Sequence, residues 1–315
     1  MSVRALVVDR SASELMRVAE LPEPVAGPGQ VVMEVSHASL NHGDLNDARS
    51  GRVPPGAVLG SDAAGVVTQA AADGTGPAVG TRVVAMAPGA FAERVAVDVT
   101  ALAPVPASVD LAVAAALPVA GLAALRSLRA AGLSREKRVL VTGASGGVGL
   151  FAVQLATHAG AYVIASVGSA ARAEGPARAG ASEVLIGLEG LSMSPDIVID
   201  SVGGPQLVQA WDKLAPGGSL QSVGWTSGEP AVFPPYATVG PAKSLNSFLN
   251  QGEFGGDLAT LIQLVTEGAL TVEIGWRGSL EQVAEAAKAL RERRVSGKAI
   301  LAIGSAETEA SVVGR

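Results

Sequence analysis

The 315-residue chain contains no cysteine. That absence excludes a disulfide framework, thiol catalysis, iron–sulfur clusters and every thiolate zinc site. Its three histidines, His37, His42 and His158, are too scattered for a dense imidazole metal site, and no metal is expected. Aromatic residues make up only 3% of the chain, so the core must be built mainly from Ala, Val and Leu. Charged residues are few, at 17%, and sum to −6, which argues against a nucleic-acid partner. Long apolar runs are also missing. The longest, Val109–Leu125, is interrupted by Asp110, Pro118 and Gly121, is too short for a membrane span, and reads as two buried helical pieces meeting at Pro118. The opening MSVRALVVDR lacks the features of a signal peptide, and a cytoplasmic protein acting on a small molecule is expected.

What is present is 48% hydrophobic residues with 39 glycines and 18 prolines, a globular and turn-rich composition long enough for two domains. The first hundred residues read as β-rich. Short runs at Ala5–Val8, Gln30–Ser36, Gly65–Thr68, Arg82–Met86 and Phe91–Val97 are bounded by Gly, Pro, Asp or Asn, as in an antiparallel barrel or sandwich. Pro22–Gly29 reads as an irregular connector. After about Leu111 the pattern changes. Strands at Arg138–Thr142, Tyr162–Val167, Glu183–Ile186, Ile197–Asp200 and Ser219–Val223 alternate with helical stretches at Val148–Ala159, Ala170–Ala179 and Gln206–Leu214. This is the spacing of βαβ units, and the strands lack polar alternation, as in a parallel sheet covered on both faces. Leu258–Glu267 and Leu280–Arg293 read as amphipathic helices and Lys298–Ile303 as a final strand, while Gly304–Arg315 has no pattern.

The strongest motif follows the strand Arg138–Thr142: Gly143, Ala144, Ser145, Gly146, Gly147, Val148 and Gly149. Glycines let the backbone turn tightly and approach a pyrophosphate, and the next helix offers unpaired N–H groups and the positive end of its dipole. Strand, glycine turn, helix and a following βαβ pattern together mark a dinucleotide site; a nucleoside site of methyltransferase type and an empty Gly-rich turn are the alternatives. The second strand selects the dinucleotide. An NAD site wants a carboxylate about 20 residues past the first glycine. Here the stretch carries Gly168, Ser169 and Arg172, with no acidic residue before Glu174. Ser169 can donate to a 2′-phosphate and Arg172 can pair with the dianion, so NADPH is expected over NADH; a solvated Arg172 is the plainer reading.

Several ordered motifs resemble the zinc-independent, quinone oxidoreductase-like branch of the medium-chain dehydrogenase/reductases. These are Asn41–Asp44 (NHGD), Leu59–Gly65, Leu117–Leu122, Thr142–Gly149 followed by Gln154, Asp200–Gly204, Leu214–Gly218 and Ser296–Lys298. The resemblance implies an α/β chain with a GroES-like β-barrel domain, residues 1–114 and 254–315, and an inserted Rossmann domain with a doubly wound parallel sheet, residues 115–253. It implies a site in the cleft between them, and hydride transfer from NADPH to a quinone or an α,β-unsaturated carbonyl without metal. It adds Val202, Gly203, Val223, Gly224, Phe248 and Leu249 to the residues expected at the cofactor, and Asn41, Asp44 and Asn46 to those expected at the catalytic centre. Two positions depart from the branch: Asn46 stands where many members have tyrosine, and Ala123 where many have threonine. The departures keep two alternatives open, a repurposed member catalysing a non-redox cyclisation or isomerisation and a non-enzymatic NADPH-binding protein.

Individual residues carry competing readings. Asn41 either orients a nicotinamide ribose or substrate carbonyl, or closes an Asx-type turn with Asp44. His42 is expected exposed, His37 structural, and His158 near a helix C-terminus, where a cation suits the dipole. Tyr236 and Lys243 could serve as proton donor and phosphate ligand or lie in a surface loop. Trp225 could wall a ligand site at the carboxyl edge of a parallel sheet or pack on the surface. The run Ser244–Leu249 is expected to form the edge of the Rossmann sheet and, exposed there, to pair with a second copy in a homodimer.

Overall fold

The computed structural model describes residues 2–304; the patternless stretch 305–315 lies outside the described residues. The chain divides into two compact units. One takes in the chain up to Val119, Gly252–Gly268 and the chain from Ile274; the other holds Ala120–Gln251 and Ala269–Glu273.

The first unit opens with an antiparallel ribbon of β1 (Ser2–Val8) and β2 (Met16–Pro22). Next come β3 (Gln30–Leu40), β4 (Asp62–Gln69), β5 (Arg82–Met86), β6 (Arg94–Asp98) and β7 (Leu102–Pro104). Helix α1 (His42–Ser50) lies between β3 and β4, and α2 (Leu111–Ala115) follows β7. Helix α3 (Pro118–Ala130) carries the chain into the second unit. That unit contains β8 (Arg138–Thr142), α4 (Gly147–His158), β9 (Tyr162–Val167), α5 (Glu174–Arg178), β10 (Glu183–Ile186), β11 (Ile197–Asp200), α6 (Gly204–Lys213), β12 (Ser219–Ser222) and β13 (Ser244–Ser247). The chain returns to the first unit with α7 (Gly255–Thr266), β14 (Ile274–Ser279), α8 (Val283–Arg291) and β15 (Lys298–Ala302).

In the first unit the strand order is β14-β15-β3-β4-β5-β7, with β6 also paired to β3. The long β3 is the hub, antiparallel to β15, β4 and β6. Its core is aliphatic, with Val31, Met33, Val35, Val83, Ala85 and Leu301 all buried. Helix α8 covers part of it because Val283, Ala286, Ala287 and Leu290 fall on one stripe. In the second unit every strand pair is parallel and the order is β10-β9-β8-β11-β12-β13. Renumbered from β8, that is 3-2-1-4-5-6, the doubly wound dinucleotide-binding order. Strand β11 is buried along its whole length and β8 along all but its first residue, as a sheet covered on both faces requires.

Elements α1, β2, β7 and β14 differ from the sequence reading. Asn41–Asp44 begins a helix rather than an isolated turn: Asn41 caps α1, and a capping box links its side chain to a backbone N–H of the first turn while Asp44 accepts from the Asn41 N–H. The polar strand β2 was not expected at all. The apolar run around Pro118 does break into two helices, α2 and α3. Among the described residues no helix is long and apolar enough to cross a membrane.

Candidate functional site

The second unit gathers the residues expected at a cofactor along one edge. Gly143–Gly149 follow β8, Ser169 and Arg172 follow β9, Val202 and Gly203 follow β11, Val223 and Gly224 follow β12, and Phe248 and Leu249 follow β13. All therefore stand at the carboxyl ends of five neighbouring parallel strands, where ligands bind in open α/β sheets. The order of those strands reverses between β8 and β11, so the glycine turn sits at the switch point.

The turn is shaped by its glycines. Gly143 has φ +60°, a conformation that favours glycine. A Cβ on Gly149 would stand 2.4 Å from the Gly143 carbonyl oxygen and 2.6 Å from the Ala144 Cα, so the first turn of α4 rests directly on the loop. A Cβ on Gly146 would meet only the Gly143 oxygen, at 3.4 Å. The missing side chain at Gly146, the residue that caps α4, thus serves the space outside the loop rather than packing within it. The Ala144 N–H bonds the Ser166 carbonyl at 3.0 Å, tying the loop to β9.

Arg172 is half-buried and its guanidinium donates to Ser145 Oγ at 3.3 Å. It is therefore turned toward the loop and is not a freely solvated side chain. Ser169 is exposed two residues past the end of β9. At the end of β11 the fully buried Asp200 accepts from Thr142 Oγ1 at 2.5 Å and from the Gly203 N–H at 2.8 Å. Burial pushes its pKa up, against the hydrogen bonds that lower it. The Thr142 hydroxyl in turn accepts from the Ser201 N–H at 3.2 Å. Ser201 Oγ is buried with no hydrogen-bond partner, and the Ser201 Cβ would be 3.6 Å from a Cβ on Gly143. An orphaned hydroxyl beside a glycine cradle fits a polar ligand. The glycine turn, the helix N-terminus, Arg172 and Ser201 together fit a nicotinamide dinucleotide.

The first unit holds a second polar cluster. Asn41 Nδ2 donates to Asp62 Oδ2 at 2.9 Å and to the Ser39 carbonyl at 3.1 Å. Lys298 Nζ donates to Asn41 Oδ1 and lies 3.2 Å from Asp62 Oδ2. The Val119 N–H donates to Asp62 Oδ1 at 2.7 Å. Both amide hydrogens of Asn41 are thus committed, and its Oδ1 already accepts from Lys298 Nζ and from the first turn of α1. Asp44, buried beside Asp62, has its pKa raised to about 7, mainly by burial and then by the Asp62 charge. Asn46 is exposed on α1 and Ala123 is buried in α3. The sequence motifs pointed at Asp62 and Lys298 but not at their meeting with Asn41.

The remaining candidates resolve simply. His42 is exposed on the first turn of α1. His37 lies in β3 and His158 in the last turn of α4. Tyr236 is 83% exposed in a turn. Lys243 Nζ donates to the carbonyls of Trp211 and Asp212, both at 3.0 Å, at the end of α6; this is a helix-end contact and not a phosphate site. Among the described residues no group of three His, Asp or Glu side chains is placed to hold a metal ion.

Comparison with known proteins fits this geometry. Residues 27–107 match the alcohol dehydrogenase GroES-like domain, and residues 147–267 match the zinc-binding dehydrogenase domain. The chain is 31% identical to prostaglandin reductase-3 of Bos taurus over 93% of its own length and 85% of the relative's. It is 37% identical to the spectinabilin polyketide synthase system protein NorB of Streptomyces orinoci over 66% of its length, and there spans only 10% of the relative. Among solved structures, the quinone oxidoreductase from Coxiella burnetii superposes with TM-score 0.85 at 25% identity, covering 96% of this chain and all of the other. A mycobacterial protein solved in complex with NADPH superposes equally well, TM-score 0.85 at 28% identity, with the same coverage.

Proposed function

The chain belongs to the medium-chain dehydrogenase/reductases, a family of oxidoreductases, in their quinone oxidoreductase-like branch, and on that premise we propose that it reduces a quinone or an α,β-unsaturated carbonyl with NADPH. The observation that carries the reading is the Gly143–Gly149 cradle with Arg172 turned onto it and no carboxylate at the end of β9. NADPH, when bound, supplies the hydride.

The chain's own residues bind, orient and exclude water. Backbone N–H groups at the start of α4 meet the pyrophosphate, aided by the helix dipole. Arg172 and Ser169 hold the 2′-phosphate, for which Arg172 exchanges its weak 3.3 Å contact with Ser145 for a charge-assisted bond. Ser201 Oγ donates to the bound nucleotide. Asn41 has no amide hydrogen left to give a substrate carbonyl, and its Oδ1 is already engaged by Lys298 and the first turn of α1. Orientation is the main catalytic device on this reading. The absence of cysteine and the scatter of histidines support a reaction without metal.

Two copies pair across β13, which forms one edge of the sheet with Leu245 44% exposed. An uncovered strand edge of this kind is a template for association. Turnover with a panel of quinones and conjugated enones, each with and without NADPH, tests the activity. NADPH-dependent reduction of at least one compound is expected. Conversion that proceeds equally without NADPH would replace this reading with a non-redox one.

A further inference from the structure

One side chain of the second unit reaches across the switch point of its sheet. Gln206 belongs to the first turn of α6, which follows β11, yet its Nε2 donates to Ser166 Oγ at 3.0 Å, at the carboxyl end of β9. Strand β8 and its glycine turn lie between β11 and β9. The glutamine therefore spans from one half of the sheet to the other beside the turn. Its anchor is rigid. Ser166 is fully buried, and its carbonyl accepts from the Ala144 N–H at 3.0 Å. The turn also leans on the loop that opens α6, since a Cβ on Gly143 would stand 3.3 Å from Val202 Cγ2 and 3.6 Å from Ser201 Cβ.

The hydrogen bonds fix which way round the amide sits. Ser166 Oγ donates its only proton to the Gly187 carbonyl at 2.9 Å, so toward Gln206 it can only accept. Nε2 must therefore face Ser166, and Oε1 must face away from it. Among the described residues Oε1 has no hydrogen-bond partner, and it is not enclosed, because Gln206 is only half-buried. The second Nε2 hydrogen is equally uncommitted. The amide thus offers one acceptor and one donor side by side, in a fixed order, at the end of β9. That is where the adenosine half of a dinucleotide belongs in this fold. A 2′-phosphate held by Ser169 and Arg172 sits on the ribose of that half, and Ser166 precedes Ser169 by three residues.

We propose that Gln206 reads the base of the dinucleotide, its amide held by Ser166 in the orientation that accepts a 6-aminopurine and rejects a 6-oxopurine. A carboxamide side chain reads adenine by accepting from its amino group and donating to a ring nitrogen. A 6-oxopurine carries an acceptor where adenine has that amino group. The amide could answer it only by turning over, and Ser166 opposes the turn because it has no proton left to give Oε1. The inference rests on the dinucleotide reading of the Gly143–Gly149 cradle, and not on which acceptor is reduced.

The test is calorimetric binding of NADP and of its 6-oxopurine analogue, nicotinamide hypoxanthine dinucleotide phosphate, to the full chain as wild type, Gln206→Leu and Ser166→Ala, with a thermal melt of each. Wild type should hold NADP roughly tenfold more tightly than the analogue, the low end of what one bidentate base contact supplies. Gln206→Leu should weaken NADP by about that factor and leave the analogue within about twofold, so that the two bind alike. Ser166→Ala frees the amide to turn and should narrow the preference by strengthening the analogue. Equal affinities in wild type, a comparison that needs no variant, would overturn the proposal. So would a Gln206→Leu chain that loses both nucleotides to the same extent, which would make the side chain a strut for the turn. An unchanged preference in Ser166→Ala would overturn it too. Equal binding of the two nucleotides leaves the reductase reading in place, and no binding of either ends both. Discrimination without reduction of any acceptor ends the reductase reading and keeps this one.

Discussion

Asp44 shows how burial changes what one residue can do. Its carboxyl is buried next to Asp62, while Lys298 and the Asn41 N–H oppose the resulting rise in pKa from 3.8 to about 7. The sign follows from proton counting. Between about pH 4 and about pH 7 the unfolded aspartate loses its proton while the folded one keeps it, so stability falls as pH rises, by up to about 1.4 kcal/mol per unit. Asp44→Asn keeps an acceptor for the Asn41 N–H and removes the titration. Denaturant midpoints from about pH 5 to about pH 8 should therefore fall less steeply in Asp44→Asn than in wild type; parallel curves would show that Asp44 titrates normally. Arg172 is the second residue with a sharp consequence. Arg172→Ala should weaken NADPH by roughly 1.5–3 kcal/mol, the scale of a hydrogen bond to a charged group, and leave NADH nearly unchanged. Equal losses for both nucleotides in calorimetry would move Arg172 from the 2′-phosphate to the shared pyrophosphate. Arg172 stands out in the sequence because a carboxylate is missing where an NAD site wants one. The Asn41–Lys298 contact does not, because its partners lie 257 residues apart and no local pattern joins them.

At the scale of elements, the strand–turn–helix at β8 and α4 separates two glycine roles that look alike in sequence. Gly149 is closed in by the loop backbone, whereas Gly146 has ordinary space around it. Gly149→Ala should therefore lower stability, by roughly 1–3 kcal/mol as overpacking does. Gly146→Val should melt near wild type yet lose NADPH in fluorescence titration. Full NADPH affinity in Gly146→Val would remove the phosphate loop from the account. Strands β8 and β11 could be read from unbroken apolar runs because both faces of their sheet are covered. Helix α1 escaped because Gly43 and Asn46 interrupt its pattern, and its clearest sign is the capping spacing of Asn41 and Asp44. Strand β2 escaped because it is polar along much of its length and is defined by pairing with β1 rather than by burial.

At the scale of the whole molecule, the exposed edge β13 sets the expectation for assembly. The N–H groups of Ser244 and Phe248 already bond the Gly218 and Ser222 carbonyls on the β12 side. Alternate residues of a strand point their N–H groups to opposite sides, so Leu245 and Ser247 direct theirs outward. Proline at Phe248 would damage the sheet from within, whereas Ser247→Pro removes an outward donor and should weaken a dimer while sparing the fold. Light scattering should find a wild-type dimer that Ser247→Pro shifts toward the 31.3 kDa chain; a monomeric wild type would contradict the pairing. The measurement that bears most directly on the central claim is a mass balance. Purified protein treated with a metal chelator is given NADPH and the best acceptor from the quinone and enone panel, and nucleotide and product are both quantified. The account predicts one reduced product for each NADPH consumed, undiminished by the chelator. Product without NADPH consumption, no consumption with any panel member, or loss of turnover on chelation with zinc found in the untreated protein would contradict it.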